Sequence, residues 1–222
     1  MKQRTKIIII ISSILLTLSL ALAIPFTILG IRTSQIDKDW SSLKSDPTYI
    51  NKVESGDINL VTQHVSCGYA TIEMMSEYYG NKISEDELKE KNDGSISTSS
   101  SDGFYKELKS SIKTQSFVKK TYLNNTSYLK EIHQSLKNNH PVAIEWAAQY
   151  EGEWTLHFSI VTSIDIANER VIVYNPYGSI ENISIDTFLL RTTFKAYKNI
   201  PLFLNFGFAF GAFEKNALFH AK

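Results

Sequence analysis

A run of 25 residues, Ile7 to Ile31, carries no charge, and only Ser, Thr, Pro25 and Gly30 interrupt its apolar side chains. Such a stretch must satisfy its own backbone hydrogen bonds, which in hydrocarbon means a helix. At ~1.5 Å per residue it reaches about 38 Å, enough to cross a ~30 Å apolar layer. Ala21-Leu22-Ala23 resembles a processing site, so a cleaved signal peptide, with secretion of the rest, is the competing reading. The apolar run continues through Ile24, Phe26, Ile28, Leu29 and Ile31, whereas a mature chain normally begins polar, so an uncleaved anchor is preferred. Lys2, Arg4 and Lys6 precede the run and mixed charges (Arg32, Asp37, Lys38, Asp39) follow it, which predicts a cytoplasmic N-terminus and an extracytoplasmic domain. The chain divides accordingly into residues 1–6, a membrane anchor 7–31, a polar stalk 32–50 and one domain 51–222.

Charge excludes one class of partner. With 23 basic against 23 acidic residues and no basic cluster, nothing favours nucleic acid. The 5 histidines stand far apart, and the single cysteine cannot complete a zinc set. No phosphate loop or dinucleotide fingerprint occurs, so no metal or cofactor is expected.

That cysteine, Cys67, opens a helical pattern. Cys67, Ala70, Met74 and Tyr78 fall at i, i+3, i+7 and i+11, and Gly80 supplies a stop after about three turns. A thiol at a helix N-terminus feels unpaired N–H groups, which favour thiolate. Gly68 beside it leaves room for a substrate carbonyl to approach. Outside the cell, structural cysteines come in pairs, so a lone thiol there is expected to do something rather than only fill space.

Further along, Ser84 and Glu87 form a capping box, and the acidic first turn Glu85-Asp86-Glu87 reads as solvated. Asp93 to Gly103 reads as a flexible loop ending at an N-cap, Asp102, followed by a helical face of Phe104, Tyr105, Leu108 and Ile112. Leu129, Ile132 and Leu136 mark another helix, starting near Ser127. After Pro141 the composition turns to strands: Val142 to Ala147, Leu156 to Ile166 and Arg170 to Tyr174, the last two joined as an antiparallel hairpin by Ala167-Asn168-Glu169. Ile185 to Arg191 reads as a short helix. Phe206, Phe208 and Phe210, alternating with small residues, read as a strand in a run too short to span a bilayer. Helices first and an antiparallel sheet second define an α+β fold.

The hairpin carries the partner chemistry. His157 lies at the start of one strand and Asn175 just past the end of the next, so antiparallel pairing puts both at one sheet edge. A cysteine nucleophile needs a base, and that base needs a third group to fix its tautomer. Trp154 has two readings, a cleft wall or ordinary packing, of which packing is preferred.

Cys67-Gly68-Tyr69-Ala70, Met74, Tyr78-Tyr79-Gly80, Pro141-Val142, Glu145-Trp146, Trp154, His157 and Asn175-Pro176 together resemble the bacteriocin-processing (double-glycine leader) group of papain-like cysteine peptidases, over roughly residues 63–191. The resemblance implies a papain-like fold, with Cys67 as nucleophile, His157 as general base and acid, and Asn175 as the orienting residue. It also implies that Gln63 donates to the oxyanion, although three residues separate it from Cys67 where the family usually has about five. The family more often has Asp at the position of Asn175. The implied activity is a cysteine peptidase or amidohydrolase acting on a peptide or protein substrate. An acyltransferase using the same triad and a non-catalytic peptide-binding module are the alternatives. Coupling to a transporter, usual for leader processing, finds no ATPase motif or six spans here.

Overall fold

The computed structural model describes residues 2–36 and 39–222, with side chains from residue 6 onward, so Asp37, Lys38 and the basic side chains of Lys2 and Arg4 lie outside the described residues. A first helix, α1 (Lys2–Ser34), contains the apolar run and accommodates Pro25 within it. It is the one helix among the described residues long and apolar enough to cross a membrane, and its apolar window is unburied by the rest of the chain.

The domain follows as β1 (Val53–Glu54), α2 (Cys67–Tyr78), α3 (Glu85–Lys91), α4 (Ser101–Ser111), β2 (Phe117–Lys120), α5 (Asn125–Lys137), β3 (Val142–Tyr150), β4 (Glu153–Asp165), β5 (Arg170–Asn175), β6 (Ser179–Ser184), α6 (Ile185–Thr192), α7 (Leu202–Ala209) and β7 (Ala217–Ala221). The strands form one antiparallel sheet in the order β2-β7-β3-β4-β5-β6, with β1 paired to β4. This is the α+β architecture expected. The β4–β5 hairpin turns at residues 166–169, with Asp165 opposite Arg170.

Alternation along β3 and β4 sorts their residues between two cores. Trp146, Ile144 and Val161 face α5 and α6, beside Tyr128 and Phe188. Phe158 and Ile160 face α2 and α4, where the Phe104 ring stacks on Phe158 at 4.2 Å. Truncating a buried ring such as Phe158 to Ala would cost about 3–5 kcal/mol.

Local chemistry explains the helix ends. The Ser66 hydroxyl accepts from the Tyr69 N–H at 3.1 Å and caps α2, while Gly80, at φ +76°, turns the chain out. The capping box of Ser84 and Glu87 is present on α3.

Several expectations are corrected. The segment read as a stalk is part of the core: Ile36, Trp40, Leu43 and Tyr49 are buried, and a short 3-10 turn at Ser41–Ser45 brings Trp40, Leu43 and Tyr49 into the cluster with α5 and α6. Residues 93–103 are anchored rather than loose, since the Tyr69 hydroxyl donates to the Ser95 carbonyl at 2.9 Å and accepts from the Ser97 N–H at 3.0 Å. Ser100, not Asp102, caps α4, and Asp102 pairs with Lys119 at 2.7 Å instead. Asn124 caps α5 and starts it two residues before Ser127. The Phe206–Phe210 segment is helical: Leu204 and Phe208, one turn apart, enter a third cluster with Ala147 and Phe194, and Gly207 lies flat against the Phe213 ring. Three alternating aromatics separated by small residues carry too little pattern to distinguish the periods. Strand β7, which sits between β2 and β3, lies beyond them.

Candidate active site

Cys67 stands at the first position of α2, where its sulfur faces the N–H groups of Phe158, Gly68 and Cys67 itself. The loop leading into it is held from below. Glu85 is fully buried and accepts from three successive backbone N–H groups, His64 at 3.0 Å, Val65 at 2.9 Å and Ser66 at 2.8 Å, while its own N–H donates to Glu73 at 2.8 Å. The solvated reading of this acidic turn is therefore wrong for Glu85: a carboxylate that meets three orphan donors is stable without water. The His64 ring rests on Glu85 at 3.0 Å and Asp86 at 3.2 Å, and the Asp86 hydrogen bond, with the Glu85 charge, raises its pKa.

Gly68 is needed for packing rather than substrate approach. A Cβ there would lie 2.3 Å from Thr98 Oγ1, so residues 97–98 of the anchored loop press against the helix start.

His157, fully buried on β4, places Nε2 2.8 Å from Asn175 Oδ1. The Asn175 amide is fixed on both sides: Oδ1 also accepts from the Tyr177 N–H at 2.9 Å, and Nδ2 donates to Glu181 at 2.6 Å. Since Oδ1 is the acceptor, Nε2 of His157 carries the proton and Nδ1 holds the free lone pair. That Nδ1 is buried and unpartnered. Beneath the amide, Glu181 pairs with Arg191, whose guanidinium stacks 3.5 Å over Trp146 and donates to the Ala147 carbonyl at 2.7 Å. The Tyr177 ring covers His157 at 4.0 Å between centroids, and its hydroxyl is 2.8 Å from that of Thr155.

The two halves meet at the end of β5. The N–H facing the sulfur belongs to Phe158, the residue after His157, and the Gln63 N–H donates to the Pro176 carbonyl at 2.8 Å. Gln63 thus bridges the nucleophile loop and the Asn175-Pro176 turn, and its side-chain Oε1 is buried without a partner.

Electrostatics depart from the expected thiolate. Burial pushes the half-buried Cys67 thiol up to about 11, the facing N–H groups oppose it, and the negative charge of Glu145 adds to it. The helix-terminus effect is present but outweighed by desolvation. Burial likewise pulls His157 down to about 3, against the Asn175 hydrogen bond and with the Arg191 charge. Burial therefore works against a lone charge on either group and favours the neutral form of each.

Other expected features lie elsewhere. Trp154 stacks on Tyr197, with ring centroids 6.3 Å apart, which makes it packing. His133 contacts the Asn51 carbonyl, His140 the Tyr79 hydroxyl and His220 Glu131. A surface cavity of about 680 Å³ lies at the Tyr78 end of α2, about 17 Å of helix away from Cys67, and Cys67 does not line it. Among the described residues no three His, Cys, Asp or Glu side chains converge to hold a metal ion. The sequence reading missed Glu85, Tyr177, Glu181 and Arg191. Tyr177 had a signal, two residues past Asn175, whereas the other three become visible only through burial.

Residues 55–201 match the profile of the Peptidase_C39 like family, and the chain belongs to that family. Its helix-borne cysteine beside an antiparallel sheet agrees with the papain-like fold expected of it. Among solved structures, one that it resembles is a crystal structure of a double glycine motif protease from an AMS/PCAT transporter in complex with the leader peptide, at 13% identity, with a TM-score of 0.47, covering 78% of this chain and 98% of that one. A comparison with curated proteins returns no match.

Proposed function

We propose that this chain is a membrane-anchored cysteine peptidase or amidohydrolase, with its domain outside the cell and Cys67, His157, Asn175 and Gln63 as its working groups. The single observation that carries the reading is the fixed His157 tautomer: Asn175 holds Nε2–H, leaving a buried, unpartnered Nδ1 next to the residue whose N–H faces the Cys67 sulfur. A base oriented by a third group beside a helix-borne thiol is what acyl transfer requires.

In the proposed reaction the thiol proton moves from Sγ to Nδ1 of His157 as sulfur attacks a substrate carbonyl carbon. The tetrahedral oxyanion accepts from the Cys67 N–H and the Gln63 side-chain amide. The imidazolium returns the proton to the leaving amine as the C–N bond breaks, and the same imidazole then takes a proton from the water that releases the acyl group. Proton transfer creates both charges together, which two desolvated groups accept far better than either charge alone. The three basic residues ahead of the apolar run, Lys2, Arg4 and Lys6, support an N-terminus on the cytoplasmic side.

The preference of each group for its neutral form favours one rival, a peptide-binding module without turnover. Incubating the full-length protein in vesicles with a peptide library, with and without an added amine, separates the readings by mass spectrometry. Cleaved products that vanish in Cys67→Ala support hydrolysis. Products that appear only with the amine indicate a transferase, and bound but uncut peptide leaves the binding module.

A further inference from the structure

The short helix α7 has an apolar surface that the fold does not cover. Leu204 and Phe208 enter the third core cluster, but Leu202, Phe203 and Phe210 are 70%, 69% and 59% exposed. Soluble surfaces rarely gather large apolar side chains this way without a partner. The neighbour of α7 identifies the partner. Phe206 meets Phe26 of α1 edge-to-face, with ring centroids 5.3 Å apart, and Leu29 packs on the same cluster as Leu204 and Phe208. Phe26 lies five residues inside the end of the uncharged run at Ile31, about 8 Å along the helix axis. An interfacial helix lies at about that depth, ~5–10 Å into the boundary between headgroups and acyl chains. Polar anchors stand where the boundary should be. The Arg32 guanidinium sits 5.3 Å over the Tyr122 ring, and the Tyr122 hydroxyl donates to the Phe208 carbonyl at 3.5 Å.

We propose that α7 lies in the outer interface of the same bilayer that α1 crosses, seating the domain on the lipid through Leu202, Phe203 and Phe210. This rests on the anchor reading of α1. A second attachment fixes the orientation of the domain, which a single helix alone would not. It also brings the active site close to the lipid: Leu156, in the cluster under α7, directly precedes His157. The substrates this seat suits are polypeptide segments or amides presented at the membrane surface.

The test places single cysteines in the full-length Cys67→Ala chain at Ile14, Phe203, Phe210 and Ala167. Ala167 is exposed in the turn at the far end of β4. Each is labelled with a bimane fluorophore and reconstituted into phosphatidylcholine–phosphatidylglycerol vesicles containing lipid with a nitroxide high on the acyl chain. The proposal expects loss of fluorescence at Phe203 and Phe210 comparable with that at Ile14, and none at Ala167. Quenching at Ile14 alone would overturn the seat while leaving the anchor intact. Absence of quenching at Ile14, Phe203 and Phe210 together would overturn both. Quenching at Phe203 and Phe210 without Ile14 would support α7 as a lipid contact and remove the anchor.

Discussion

Two corners of the sheet break the ordinary partition of side chains in opposite directions. At the β4–β5 edge and the nucleophile loop beside it, polar and titratable groups are buried: His157 and Asn175 on the strands and Glu85 of α3 under the loop are all shielded from water. At the β3–β4 hairpin end, α7 leaves large apolar side chains in the open. The first corner is costly unless every group finds a partner, and all but a few atoms do, His157 Nδ1 and Gln63 Oε1 among the exceptions. The second is costly in water and favourable against lipid. Buried polarity with one open valence marks where chemistry is proposed, and exposed apolarity beside an anchor marks where the domain is proposed to sit.

The largest effect expected from this contrast is acid sensitivity of the buried corner. The folded imidazole of His157 titrates at about 3, well below its ordinary 6.5, so the unfolded chain binds the extra proton between those values. Its contribution is complete above pH 6.5 and is lost as pH falls toward 3, at most roughly 5 kcal/mol. Glu145, buried and pushed up to about 8, acts with the opposite sign and loses its contribution as pH rises from 4.5 through 8. Urea unfolding from pH 7 to 4 should therefore be steeper in the parent protein than in His157→Gln, and equal slopes would mean that the imidazole is not neutral and buried.

Asn175→Ala frees Nε2 and the tautomer with it. Turnover should fall about 100-fold, near 3 kcal/mol of barrier, with KM little changed. A change confined to KM would assign Asn175 to substrate binding. Glu85→Gln replaces an acceptor of three N–H bonds with a group that also donates, and should cost about 2–3 kcal/mol of stability. It should also slow Cys67 alkylation relative to a stability-matched core variant such as Leu88→Ala. Equal rates in the two would restrict Glu85 to folding. The smallest effect belongs to the other corner: Leu202→Ser should weaken vesicle-surface contact by at most about 2 kcal/mol and leave peptide turnover in detergent unaltered.

Much of this was readable from residues because the relevant signals are local. The Cys67 helix, its Gly80 stop, the capping box and the turn at Ala167-Asn168-Glu169 each lie within a few positions, and hairpin geometry then brought His157 beside Asn175. What escaped depends on distant partners. Glu85 looks like a solvated first-turn acid until the loop at His64–Ser66 folds over it. Residues 36–49 look polar in one dimension, although Trp40, Leu43 and Tyr49 fall together once turned. The α7 segment misled because Gly207 and Ala209 leave the aromatic spacing as the strongest pattern, and its helix depends on contacts with α1 and Phe194 that no local window contains. The thiol was misjudged for a related reason: the helix N-terminus is a local effect, while desolvation of Cys67 comes from the whole surrounding fold.

The central claim is that Cys67 and His157 form one reactive unit. Iodoacetamide labelling of Cys67, followed from pH 5 to 11 in the full-length protein and in His157→Ala, tests it directly. Loss of the imidazole should slow labelling at neutral pH and move the midpoint of the profile upward. Superimposable profiles would contradict the pairing.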